Sequence, residues 1–128
     1  MKYLLLIHPG ASHARFDSLD EDAQAEILRE YLDVADAPGV VGSHQLHPPD
    51  TATTVRVQDG RTLTTDGPFI EAKEAVGGFV LFEADDLDGA IGLAARVPAA
   101  RMGGAVEVRP VMDLPNLPVQ RELATASV

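Results

Sequence analysis

A chain of 128 residues, 45% of them hydrophobic, is long enough for one domain whose single core buries about two-thirds of its unfolded surface. It has no cysteine, which excludes disulfides, thiolate metal sites and a cysteine nucleophile. A formal charge of −10 with no basic stripe repels phosphate backbones, so no nucleic-acid partner is expected. No apolar run approaches the ~20 residues of a membrane span, and Tyr3 to Ile7 lacks the flanks of a signal peptide, so no membrane association and a cytoplasmic address are expected.

Lys2 to His8 carries the continuous apolar run of a central strand, and Pro9-Gly10 ends it. A polar loop bearing His13 and Arg15 follows to Asp17. Ser18-Leu19-Asp20-Glu21 has capping-box spacing, and the acids Asp20, Glu21 and Asp22 suit the positive end of a helix. Ala23, Ile27, Tyr31, Val34 and Ala35 then recur at helical spacing until Pro38-Gly39 stops the pattern. Val40 to His47 reads as a strand ended by Pro48-Pro49. Asp59-Gly60, between the alternating runs Thr51–Gln58 and Arg61–Thr65, is a strong hairpin signal.

The stretch from Asp66 to Glu83 gathers the densest chemistry. Asp66-Gly67-Pro68-Phe69 is a rigid turn, Glu71, Lys73 and Glu74 follow, and Gly77-Gly78 opens the apolar strand Phe79-Val80-Leu81-Phe82. A strand entrance without Cβ atoms allows a bulge or the close approach of another backbone or a ligand. Asp85-Asp86 caps a second helix with Leu87, Ala90, Ile91 and Ala94 as its apolar positions, and Pro98 and Gly103-Gly104 end it. Ala105 to Arg109 alternates as a last strand. Residues 1–112 thus form the domain, and 113–128 a tail over the surface or a partner subunit.

Strand, helix, strand, hairpin, strand, helix, strand is an α+β order. It predicts the ferredoxin-like split-βαβ sandwich with an inserted β-hairpin and both helices on one face. The other face is apolar and has no helix left to cover it, so a homodimer formed sheet to sheet is expected.

A rigid turn can hold Asp66 as a general base or hydrogen-bond acceptor, although the same turn needs Asp66 only to close its own Asx-turn. In an extended segment Glu71 and Lys73 share a face, as a solvated ion pair or with Lys73 holding an anionic ligand group. His8, at the end of a central strand beside the Asp66 stretch, reads as a base oriented by that carboxylate, or as a histidine bonded to backbone. His44 and His47, three apart in a strand, face opposite ways, which argues against a shared metal. His13 has no partner at ligand spacing. No GxSxG, HExxH, P-loop or Rossmann glycine pattern is present.

The runs DGPFIEAKEAVGGFVLFEADDLDGAI and VPAARMGGAVEVRPV, with PPDTATTVRVQDG and the opening MKYLLLI, closely resemble the DGPF branch of the YCII-related family over most of the chain. The resemblance implies a dimeric ferredoxin-like α/β barrel. The His–Asp pair proposed as an active site in the wider group, with its histidine on the first helix, has no counterpart between Ser18 and Ala37. Relatives carry an acidic residue near His44 and often an aromatic near His8. They are often encoded beside sigma factors of the extracytoplasmic-function type, which implies a regulatory protein partner.

The candidate site is Asp66 and His8 for catalysis, with Lys73, Glu71, Arg56, His44 and Phe69 binding the ligand, and no metal or cofactor. Two functions fit. One is a cofactor-independent enzyme doing acid–base chemistry on a small carboxylated or cyclic molecule, with Lys73 or Arg56 holding an anion. The other is a non-catalytic ligand-binding or regulatory dimer.

Overall fold

In the computed structural model the described residues are 1–67 and 75–112. The expectations for Pro68, Phe69, Glu71, Lys73, Glu74 and the tail from 113 lie outside them. Strand β1 spans Lys2–His8, helix α1 Ser12–Asp17, helix α2 Glu21–Ala35 and strand β2 Val40–Gln45. The hairpin strands β3 and β4 span Thr53–Gln58 and Arg61–Asp66. Strand β5 spans Gly78–Glu83, helix α3 Leu87–Arg96 and strand β6 Ala105–Pro110.

The main sheet has the order β2-β5-β1-β6, with every neighbouring pair antiparallel. With the hairpin set aside, this is the βαββαβ order of the ferredoxin-like fold, its two halves interleaved so that β1 lies inside the sheet. Strand alternation sends Tyr3 and Leu5 of β1 and Val80 of β5 to one face. There they meet Val34 of α2, Ala90, Leu93 and Ala94 of α3, and Val97 and Ala99 just beyond it. Leu5 and Val97 have no exposure at all.

The opposite face presents Leu4 and Leu6 beside Leu81 and Phe79, their cross-strand partners. Lys2, Glu83, Glu107 and Arg109 lie around them in register. Among the described residues no helix covers this face.

The Asp59-Gly60 hairpin forms as expected. Both residues have positive φ, 51° and 75°, as a two-residue turn matched to strand twist requires. Val55 and Val57 share a face and are exposed, and the two hairpin strands form a sheet of their own.

Several boundaries differ from the sequence reading. Ser18 does not cap α2. It ends α1, its hydroxyl donating to the Arg15 carbonyl at 2.7 Å, while Asp20 caps α2 by accepting from the Ala23 N–H at 2.8 Å. Two helices meeting at this corner left room for one cap, and the aspartate two residues on took it. The expected loop at His13 is helical, because tertiary contacts rather than local propensity hold it. Gly10 turns the chain at φ 52°, and the Ala11 N–H donates to the Gly103 carbonyl at 3.2 Å.

Strand β2 stops at Gln45, so His47 lies beyond it, and Thr51 belongs to a 3₁₀ turn at Pro49–Thr51. Asp86 caps α3 through Gly89, but Leu87 and Ile91 are exposed and Leu93 is buried in their place.

The junction that sets α1 has no room for side chains. A Cβ on Gly104 would sit 2.6 Å from the Pro9 carbonyl oxygen and closer still to that of His8. Chemical denaturation should therefore find Gly104→Ala destabilised by about 1–3 kcal/mol. Asp20→Ala should lose about 1 kcal/mol, whereas Ser18→Ala should stay within about 0.5 kcal/mol of wild type; the reverse order would restore the capping box.

Candidate functional site

Between α2, α1 and the end of the sheet lies a cleft of about 960 Å³. One wall is the face of α2 formed by Ile27, Leu28, Tyr31 and Leu32, and the other is the end of β2 and the start of β5. Ile7, Pro9, Ser12, His13 and Phe16 close one end. The buried floor includes Val34, Val80 and Val97. Leu28 and Leu32 stand 54% and 64% exposed. They are apolar side chains that the helical period places on α2 but the core leaves out, and the cleft accounts for their position.

Three of the chain's four histidines line this cleft: His13, His44 and His47. His44 stands against Phe79, with ring centroids 5.6 Å apart and tilted by 50°. No aspartate, glutamate, lysine or arginine lines the cleft among the described residues. The glycine pair at the entrance of β5 is closed by protein rather than open to a ligand. A Cβ on Gly78 would meet the His44 carbonyl oxygen at 2.9 Å, and one on Gly77 the Pro9 ring at 2.9 Å.

The residues expected from the sequence fall in two places. His44 borders the cleft, but register turns its ring with Phe79 to the helix-free face. His8 lies on β1 between the lining residues Ile7 and Pro9, but alternation turns it to the helix-free face. There its Nε2 is 3.2 Å from Glu107 Oε1. The carboxylate that the register sets beside His8 is that of Glu107. Asp66 ends β4 opposite Thr53 and is exposed. Arg56 sits in β3 of the same hairpin, paired with Leu63 in the ladder. Glu71, Lys73 and Phe69 fall outside the described residues.

Two residues that the sequence reading passed over belong to this geometry. Glu107 becomes visible only through the β1–β6 register, in which Leu6 pairs with Glu107 and His8 with Ala105. Ser12, at the cleft's end, is the one buried polar residue among those described. No local signal in the sequence marks it.

A family model of the YCII-related domain matches residues 1–115. The chain belongs to the YCII-related family. This YCII-related protein is 32% identical to an uncharacterized protein of Rhizobium meliloti (strain 1021) over 117 residues, 87% of this chain and 92% of that one. A solved structure of 5-chloro-2-hydroxyhydroquinone dehydrochlorinase from Burkholderia phenoliruptrix AC1100, in complex with 2,5-dihydroxybenzoquinone, aligns with 89% of this chain and 96% of its own. The identity there is 17% and the TM-score 0.47, so its chemistry is a statement about that enzyme.

Among the described residues of the YCII-related chain, no helix is long and apolar enough to cross a membrane.

Tyr31 lines the cleft on α2. Burial raises its pKa above the usual 10.0, against the opposing pull of the Ala99 backbone and the Arg101 charge. The fold favours the neutral phenol, so this contribution to stability is whole below pH 10 and is lost as pH rises through the raised value. In an absorbance titration, Tyr31→Phe should remove an ionisation that lies above pH 10; if the ionisation lost lies at the ordinary value, the burial is contradicted.

Proposed function

We propose that this YCII-related protein takes a small cyclic organic molecule into the helix–sheet cleft and performs cofactor-independent acid–base chemistry on it. The supporting observation is the cleft itself, about 960 Å³ of largely apolar wall lined at its edges by His13 and His47. That is the composition of small-molecule sites, in which apolar walls supply affinity and a few polar groups supply orientation. Histidine is the side chain whose ordinary pKa lies near neutrality, so an imidazole at the rim can take and return a proton without a metal.

His13 is the base this reading favours, since it stands on α1 at the closed end of the cleft, whereas register turns the His44 ring with Phe79 to the helix-free face. Asp66, His44 and the His8–Glu107 pair remain the alternatives for proton transfer, and Lys73, Glu71, Arg56 and Phe69 those for holding the ligand. The same cleft would serve a sensor equally well if its ligand left unchanged.

The working unit in this proposal is a homodimer joined through the helix-free sheet face. Leu4, Leu6, Phe79 and Leu81 form its apolar centre, and a rim with Lys2 and Arg109 against Glu83 and Glu107 can pair with a rotated copy of itself. Sedimentation should give a dimer that Leu6→Asp converts to a monomer; a monomeric wild type would discard this assembly.

A thermal-shift screen of small carboxylates, lactones and phenols tests the site. A ligand at about a hundred times its Kd should add about 2.7 kcal/mol of apparent stability. Leu28→Arg, on an exposed wall position, should abolish the shift without unfolding the protein. Incubation of the hit should then yield product with wild type and none with His13→Ala, while Asp66→Asn, His8→Ala and His44→Ala report on the alternatives. Unchanged ligand would leave a regulatory sensor, whose partner, such as a sigma factor, would be sought by co-purification. Shifts that survive Leu28→Arg would remove the cleft from the proposal.

A further inference from the structure

We infer that the cleft selects an apolar-bodied ligand carrying one uncharged hydrogen-bonding group, and that this group seats on the hydroxyl of Ser12. The inference rests on the cleft being a ligand site, as proposed above.

Ser12 is 5% exposed and lines the cleft. Its N–H is satisfied by the Pro9 carbonyl at 2.8 Å, but its hydroxyl makes no hydrogen bond among the described residues. A hydroxyl carries one donor and two acceptor sites, and burying it without a partner is unfavourable. Nor is it walled in, because no side-chain oxygen or nitrogen among the described residues is both sealed from solvent and unbonded. The hydroxyl is therefore reachable, and the opening that reaches it is the cleft. A buried polar group left open toward an apolar cavity is an anchor awaiting the ligand's own polar atom.

The surroundings decide which kind of atom. Ile7 and Phe16 line the same end, and the floor is Val34, Val80 and Val97. A full charge placed there would exchange its hydration for one neutral hydroxyl, the neighbouring His13 imidazole and an otherwise apolar wall, which is disfavoured. No fixed charge of either sign lines the cleft among the described residues to offset that loss. An alcohol, carbonyl or amide loses far less on entry and regains a bond at Ser12. The long apolar wall on α2 then takes the body of the ligand.

The test uses a matched series that differs in one substituent: 2-methylnaphthalene, 2-naphthalenemethanol, 2-naphthoate and 2-naphthylmethylammonium. Each displaces the fluorescent neutral probe N-phenyl-1-naphthylamine from the full-length protein. The alcohol should bind about five- to tenfold tighter than the methyl compound, as one buried neutral hydrogen bond allows, and at least tenfold tighter than either ion. Ser12→Ala should bring the alcohol to within about twofold of the methyl compound and leave the latter's affinity unchanged.

Since Ser12→Ala deletes an unbonded hydroxyl, its thermal midpoint should equal or exceed that of wild type. A lower midpoint would mean that the hydroxyl serves the fold, and would overturn the assignment. So would naphthoate or the ammonium binding as tightly as the alcohol, or an equal loss for all four probes in Ser12→Ala. If no probe binds at all, the cleft fails as a ligand site and both readings fall together.

Discussion

Hydrogen bonding of β1 along both edges is the constraint from which the rest of this domain follows. Flanked by β5 and β6, the strand cannot move without breaking two ladders, and each of its side chains is committed to one face or the other. Leu5 is wholly buried beneath the helices, whereas Leu4 and Leu6 one residue away look outward from the other side. A slip of one residue would exchange the two sets and put His8 and Ile7 in each other's places. The register therefore determines both the core and the face on which His8 stands.

The second constraint is the glycine junction where β1 ends. Gly10 turns the chain, and Gly104 admits the His8 and Pro9 carbonyls so closely that no side chain fits between. This contact between segments more than 90 residues apart holds α1 against the sheet. It makes a helix of a stretch with little helical character of its own, and it carries Ser12 and His13 to the end of the cleft. The cleft is thus a by-product of the packing that closes the first βα connection. Its polar groups reach it through chain geometry rather than through a contiguous motif.

The two faces of the sheet have different chemistry for the same reason. The helix side buries small and branched apolar residues and opens at one end into the cleft. The helix-free side mixes four large apolar side chains with a charged rim and holds the His8–Glu107 pair. An assembly through the second face would leave the first free for a ligand, so binding and dimerisation need not compete for surface.

Most of the fold was legible in the amino-acid order because its signals are local. The apolar run of β1, the 3.6-residue period of α2, the Asp59-Gly60 turn and the alternation of β6 each depend on neighbours a few residues away, and their sequence of strands and helices is enough for the βαββαβ plan. The motifs that mark the family are local in the same sense. The site was not legible, because its members meet across long separations. His8 was matched with Asp66 on chain order, but the β1–β6 register brings Glu107 to it. His13, read as a loop residue, stands on α1, and nothing near Ser12 in sequence says that its hydroxyl is buried and open to a cavity. Local propensity determined which elements this chain forms. Strand register and the close approach of Gly10 to Gly103 and Gly104, which no short stretch encodes, decided which side chains share a site.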